Sequence, residues 1–259
     1  MFRATLMLAL SLLAQLTHAT PQQLMSELQQ MRLSSTEVVT NFYMFTGLDA
    51  DAKYDRRMQQ ARETFETALA NATELAIANG VSDELAAITS DWSGFTRLLS
   101  DNRNDMLTRG FPNVRLVDEM DRANIDIVKK VTETYDQLQQ SSGIQPSPIV
   151  QQARRLSLIM EEITSQYAAR GTTNLGQVFM GNSERSLEQM ADEFQAGLGE
   201  LRGMLRGKKV DNILKSIDSK WKFMAESVKN YNKNTVPFLV VSYNDRILMH
   251  LKEIEQRFQ

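Results

Sequence analysis

The 259-residue chain has no cysteine, and its only histidines are His18 and His250. Disulfides, thiol catalysis and every cysteine-based metal site are therefore excluded. Zinc hydrolase centres, Ser-His-Asp triads and haem sites with two axial histidines lack their parts. The expectation is a protein that is not an enzyme and holds no metal and no cofactor. Glycine and proline are scarce, at 12 and 5 residues, and aromatics make up 7%. Methionine, leucine, glutamate, glutamine and arginine are common instead, which is helical composition. The formal net charge of −3 argues against nucleic acid or anionic lipid as the main partner.

What is present begins with a leader. Residues 1–19, MFRATLMLALSLLAQLTHA, carry Arg3, an apolar run from Ala4 to Leu16, and the small Ala19 just before a cut. This is the build of a secretory signal peptide, too short at its apolar core for a comfortable membrane span. An uncleaved anchor is the alternative. No later segment is apolar enough to cross a bilayer. Export without cysteine points to a bacterial periplasm, so the expectation is a soluble periplasmic protein.

Apolar residues then recur at alternating steps of three and four, which places each set on one face of a helix. Leu24, Leu28, Met31, Ser35, Val38, Phe42 and Phe45 form one stripe, interrupted at Ser35. Tyr54, Met58, Ala61, Phe65, Ala68 and Ala72 form a second, and Ile88, Trp92, Phe95 and Leu99 a third. Val117, Met120, Asn124, Ile127, Val131, Thr134 and Leu138 form a weaker fourth. Turn residues separate them at Thr46-Gly47, Asn79-Gly80 and Arg109-Gly110-Phe111-Pro112. The first helix should be ~23 residues, or ~34 Å.

The stretch Ser141–Pro148 reads as a linker, and after it the pattern restarts. Ile149, Ala153, Leu156, Met160, Ile163 and Tyr167 form a stripe, followed by Leu187, Met190, Phe194 and Leu201. Ile217, Trp221, Met224 and Val228 come next, and the last helix contains Tyr243, Ile247, Leu251, Ile254 and Phe258. Phe65/Phe194, Ile88/Ile217 and Trp92/Trp221 share one offset of 129 residues, while the two first stripes agree best at 125. The expected fold is all-α. It comprises two tandem antiparallel four-helix bundles, over 21–141 and 149–259, joined by the linker 142–148.

The second unit carries the phrase Gln152-Ala153-Arg154-Arg155-Leu156-Ser157, then Glu193-Phe194-Gln195-Ala196-Gly197-Leu198, then Ile217-Asp218-Ser219-Lys220-Trp221. The first unit carries Met31-Arg32-Leu33-Ser34, Phe65-Glu66-Thr67-Ala68-Leu69 and Ile88-Thr89-Ser90-Asp91-Trp92. These phrases resemble the N-terminal sensor domain of type IV pilus methyl-accepting chemotaxis transducers, related to the periplasmic domain of nitrate/nitrite sensor kinases. In that family's first helix two arginines sit five residues apart. Here Arg154 stands for the first and Ile159 occupies the second place, while the first unit has Met31 and Thr36 there. The resemblance implies a sensory role with a membrane-bound transducer or kinase as partner and a small anion as ligand.

Arg154, Arg155 and Arg32 are then the candidate ligand residues, since a guanidinium donates paired hydrogen bonds to a carboxylate, nitrate or phosphate. The competing reading is that each packs its stem on a helix seam and keeps its head in water or on a glutamate. Trp92 and Trp221, at helical spacing among apolar residues, read as core. His250 reads as a helix histidine, and Asn124 either fixes helix register or sits at a wet edge. Glu161-Glu162 and the Asp101–Asp105 region show no paired metal or acid/base spacing. The lead expectation is a non-enzymatic sensor-like accessory protein that binds a small anion. The rival is a scaffold or adaptor that binds another envelope protein, and a homodimer is one assembly open to either.

Overall fold

The computed structural model describes the backbone of residues 2–172, 185–231 and 236–259, and the side chains of 21–170, 185–231 and 236–259. The side chains of the leader, and with them its cleavage site, lie outside the described residues. All regular structure among the described residues is α-helical: α1 (Phe2–Gly47), α2 (Ala52–Asn79), α3 (Ser82–Arg109), α4 (Val114–Ser142), α5 (Pro148–Thr172), α6 (Leu187–Met204), α7 (Asp211–Lys229) and α8 (Pro237–Phe258). Among the described residues, no helix is long and apolar enough to cross a membrane.

Local chemistry sets the helix ends. Asp51 Oδ1 accepts from the Lys53 N–H at 2.7 Å and Asn113 Oδ1 from the Arg115 N–H at 3.1 Å, each supplying an acceptor for an orphan donor of the first turn. Ser186 and Gln189 form a reciprocal capping box at the start of α6. Ser147 Oγ accepts from the Val150 N–H at 3.3 Å, and Pro148, which has no N–H to orphan, opens α5. At the other ends, Gly80 and Gly110 adopt φ of 67° and 78°, the left-handed conformation that ends a helix without Cβ strain. The α1–α2 turn departs from this rule. Gly47 stays helical, and the left-handed positions fall on Asp49 and Ala50. The first helix also departs from its expected length: α1 spans 46 residues with Pro21 inside it, twice the stripe's extent.

The predicted stripes face inward. Every position of the four stripes before the linker is buried, Ser35 and Asn124 included. After the linker, Ile149, Tyr243 and Phe258 are only half-buried, while the other stripe positions are buried. Ser35 Oγ donates to Asn124 Oδ1 at 2.5 Å, so the two polar interruptions satisfy each other across α1 and α4. Asn124 is thus a buried register contact, not a wet edge. Trp92 stacks on Phe65 with ring centroids 3.6 Å apart, and Trp221 meets Phe194 at 4.5 Å. The residues paired by the 129-residue offset therefore make equivalent contacts.

Helix α1 packs on α2 and α4, and α3 packs on both α2 and α4; likewise α5 packs on α6 and α8, and α7 on both α6 and α8. Two apolar cores result, one mainly from α1–α4 and one from α5–α8, with Ala168, Ala169 and Val241 of the later helices joining the first core. The halves meet where α1 packs on α5. Gln29 reaches across here: its Nε2 donates to the Arg154 carbonyl at 3.3 Å. Farther along, Glu37 lies close enough to Glu161 to act on its charge. Both pairs advance in the same direction, at separations of 125 and 124 residues, so α1 and α5 run parallel and nearly in register.

Candidate functional site

The buried charged side chains Arg32, Arg154 and Glu161 gather at the α1–α5 seam. On α5 the face turned to α1 carries Arg154, Ser157, Glu161 and Thr164, spaced by three or four residues and all buried. These groups fall into two layers.

The first layer centres on Arg154, whose side chain is 4% exposed. Its Nε donates to Glu255 Oε1 at 2.8 Å, Nη1 to the Tyr135 hydroxyl at 2.9 Å and Nη2 to Ser26 Oγ at 2.9 Å. Nη2 is also 2.6 Å from Glu255 Oε1. Arg32 is buried against the same tyrosine, with its guanidinium carbon 4.4 Å from the Tyr135 ring centroid and Nη2 donating to Gln29 Oε1 at 2.5 Å. Burial lowers the Arg32 pKa to about 10, partly offset by Tyr135 and Asp136, so it remains charged at neutral pH. Two of the three sequence candidates thus meet around one ring. Arg155 does not join them: it is exposed and bonds Glu193 at 2.8 Å.

The second layer contains Glu37 of α1, Arg57 of α2, Glu161 of α5, and Asn244 and Asp245 of α8. Arg57 holds Asp245 through two parallel bonds of 2.7 Å and lies 3.7 Å from Glu37. Glu161, 3% exposed, accepts from Asn244 Nδ2 at 3.0 Å through Oε1. Among the described residues, its Oε2 and the Asn244 Oδ1 have no hydrogen-bond partner. Burial first, and the Glu37 charge second, push the Glu161 carboxyl up to about 8. Burial raises Glu37 as well, against the pull of Arg57.

A groove of about 590 Å³ runs over this seam, lined by Glu37, Arg57, Glu161 and Asp245 of the second layer and by Ser26, Gln29 and Glu255 of the first. Its volume suits a small molecule. Among the described residues no group of three or more His, Asp or Glu is placed to hold a metal ion. Sequence reasoning singled out Arg154 and Arg32 but passed over Glu161. The available signal was the second stripe Arg154, Ser157, Glu161, Thr164, which a search for apolar periodicity does not register.

Trp92 and Trp221 lie in the cores, and His250 Nδ1 lies 3.7 Å from Glu253. No family model, curated protein or solved structure matches the chain.

Proposed function

We propose that this protein is a non-enzymatic periplasmic binding protein of two tandem antiparallel four-helix bundles, which captures a small molecule at the seam between them. The bundle reading is supported by the closed circuits of packing, α1–α2–α3–α4–α1 and α5–α6–α7–α8–α5. Crossing contacts agree with antiparallel neighbours: in α3 and α4, Glu84 meets Gln137 while Asp91 meets Lys130. Duplication is supported by the two Phe–Trp contacts and by the parallel α1–α5 pairing at the offset where their stripes agree.

The observation that carries the functional reading is the groove with an unpartnered, buried carboxylate oxygen in its wall. Buried polar groups are ordinarily satisfied, and those that are not mark places where another molecule can complete the bonding. The resemblance to transducer sensor domains adds a membrane-bound transducer or kinase as the recipient of the signal. A small anion at Arg154 requires displacement of Glu255, Tyr135 or Ser26 from its guanidinium. The anion is therefore the less favoured ligand of this seam.

The adaptor reading is favoured by a different observation. Leu48, Leu107, Phe111, Val114 and Phe238 are large, apolar and exposed, and they lie at the ends of α1, α3, α4 and α8, where Lys53 Nζ stands 4.8 Å from the Phe238 ring and Arg103 bonds Asp55. Thermal denaturation separates the two. A concentration-dependent rise in Tm with nitrate, phosphate, a small carboxylate or a small amine supports ligand capture, since a ligand specific to the folded state must stabilise it. No rise with any of them, together with a stoichiometric cross-linked envelope partner, replaces it with the adaptor.

A further inference from the structure

We propose that the seam groove is a site for an aliphatic amine, its ammonium head set against Glu161 and its methylene chain along Leu33 and Leu248. This deepens the ligand-capture reading and rests on it. Besides Glu161, the lining holds four acidic residues, Glu27, Glu37, Asp245 and Glu255, against two cations, Arg57 and Lys252. Arg57 is engaged by Asp245 and Glu37, and Lys252 Nζ donates to Gln30 at 3.3 Å. Such a wall repels a carboxylate or a nitrate and attracts a cation.

The independent sign of a ligand is deeper in the wall. Glu161 is only 3% exposed, and among the described residues its Oε2 has no donor. The Asn244 Oδ1 beside it has none either. Once Glu161 is ionised, two acceptors of one hydrogen-bonded pair lack donors, and an ammonium presents three N–H groups. A bare metal ion is a poorer fit, because the carboxylates are not gathered into a coordinating set. Leu33, Leu248 and Met249 give the groove an apolar strip, on which a hydrocarbon stem is removed from water.

Binding is coupled to a proton. The charged groups acting on Glu161 are Glu37 from α1, Arg57 from α2 and Asp245 from α8. Without ligand, burial keeps Glu161 protonated until about pH 8. An ammonium favours the carboxylate, so binding expels that proton and tightens as pH rises.

The test is calorimetric titration of the whole protein with butane-1,4-diamine and with butanedioate, which has the same carbon count and opposite charge. The diamine is expected to bind and butanedioate not to. Affinity for the diamine should rise about tenfold per pH unit from pH 6 to 8. At pH 7, titration in buffers of different ionisation enthalpy should report release of close to one proton. Glu161→Gln should bind at least tenfold more weakly at pH 8 and lose the pH dependence, with unchanged helix content by circular dichroism. Proton release by the wild-type protein supplies the same answer if that variant does not fold. The proposal is overturned if the diamine does not bind, if it binds without releasing a proton, or if Glu161→Gln binds it as tightly as wild type. Binding of butanedioate alone overturns the amine but keeps the seam as a ligand site. Binding of neither overturns both.

Discussion

Arg154 and Glu161 lie two turns apart on one face of α5, and they differ in what their neighbours leave open. Arg154 has Glu255, Tyr135 and Ser26 around its guanidinium, so it acts as a rivet through α1, α4, α5 and α8. Removing one partner of such a buried pair leaves the other charge without compensation. Arg154→Ala should therefore lower the unfolding free energy by about 3 kcal/mol in urea denaturation, with Arg154→Lys recovering part of the loss. A change under about 0.5 kcal/mol would return Arg154 to the solvent-facing class of substitutions. The arginines were legible in sequence because a resemblance singled out their phrase. Glu161 was not, because a glutamate next to Glu162 on a helix is ordinarily solvated. Only the packing of α1 and α8 against it makes it buried and half-bonded. Ser35 and Asn124 lie between these cases: the sequence marks each as a break in a stripe, but that they bond to one another depends on how α1 meets α4.

Helix existence and inward face follow from residues within a few turns of one another, which is why the stripes survive so well. Caps such as Asp51, Asn113 and the Ser186–Gln189 box act over three residues and are equally local. The contact between α5 and α6 is not local, and Gly197 shows it. A Cβ there would stand 2.8 Å from Gln152 Nε2 and 3.0 Å from Leu156 Cδ2, whereas one at Gly199 meets nothing within 4 Å. Gly197→Ala should therefore destabilise by about 1–3 kcal/mol through overpacking, less what helix propensity returns. Gly199→Ala should stabilise by up to about 1 kcal/mol. Opposite shifts of the two melting temperatures would establish the close approach, and equal shifts would remove it. The sequence displays both glycines on the same helix with nothing to distinguish them.

At the scale of the whole molecule, the two cores are held together along α1 and α5 by polar contacts as well as apolar ones. Arg57–Asp245 and Arg154–Tyr135 each join a helix before the linker to one after it, and Ala168, Ala169 and Val241 enter the first core. A protease site placed between Gly143 and Pro148, once cut, should leave the two fragments co-eluting as one particle in size-exclusion chromatography. Separation would mean that the linker alone keeps the halves adjacent. The sequence by itself determined the helical class, which face of each helix turns inward, and where most helices stop, because those depend on periodicity and on groups a few residues apart. The tertiary structure alone decided that α1 and α5 lie side by side, that the seam between them is polar, and that Glu161 is buried there with an acceptor to spare. Those facts depend on residues more than a hundred positions apart in the chain, and the ionisation of a carboxyl is set by the water that packing removes.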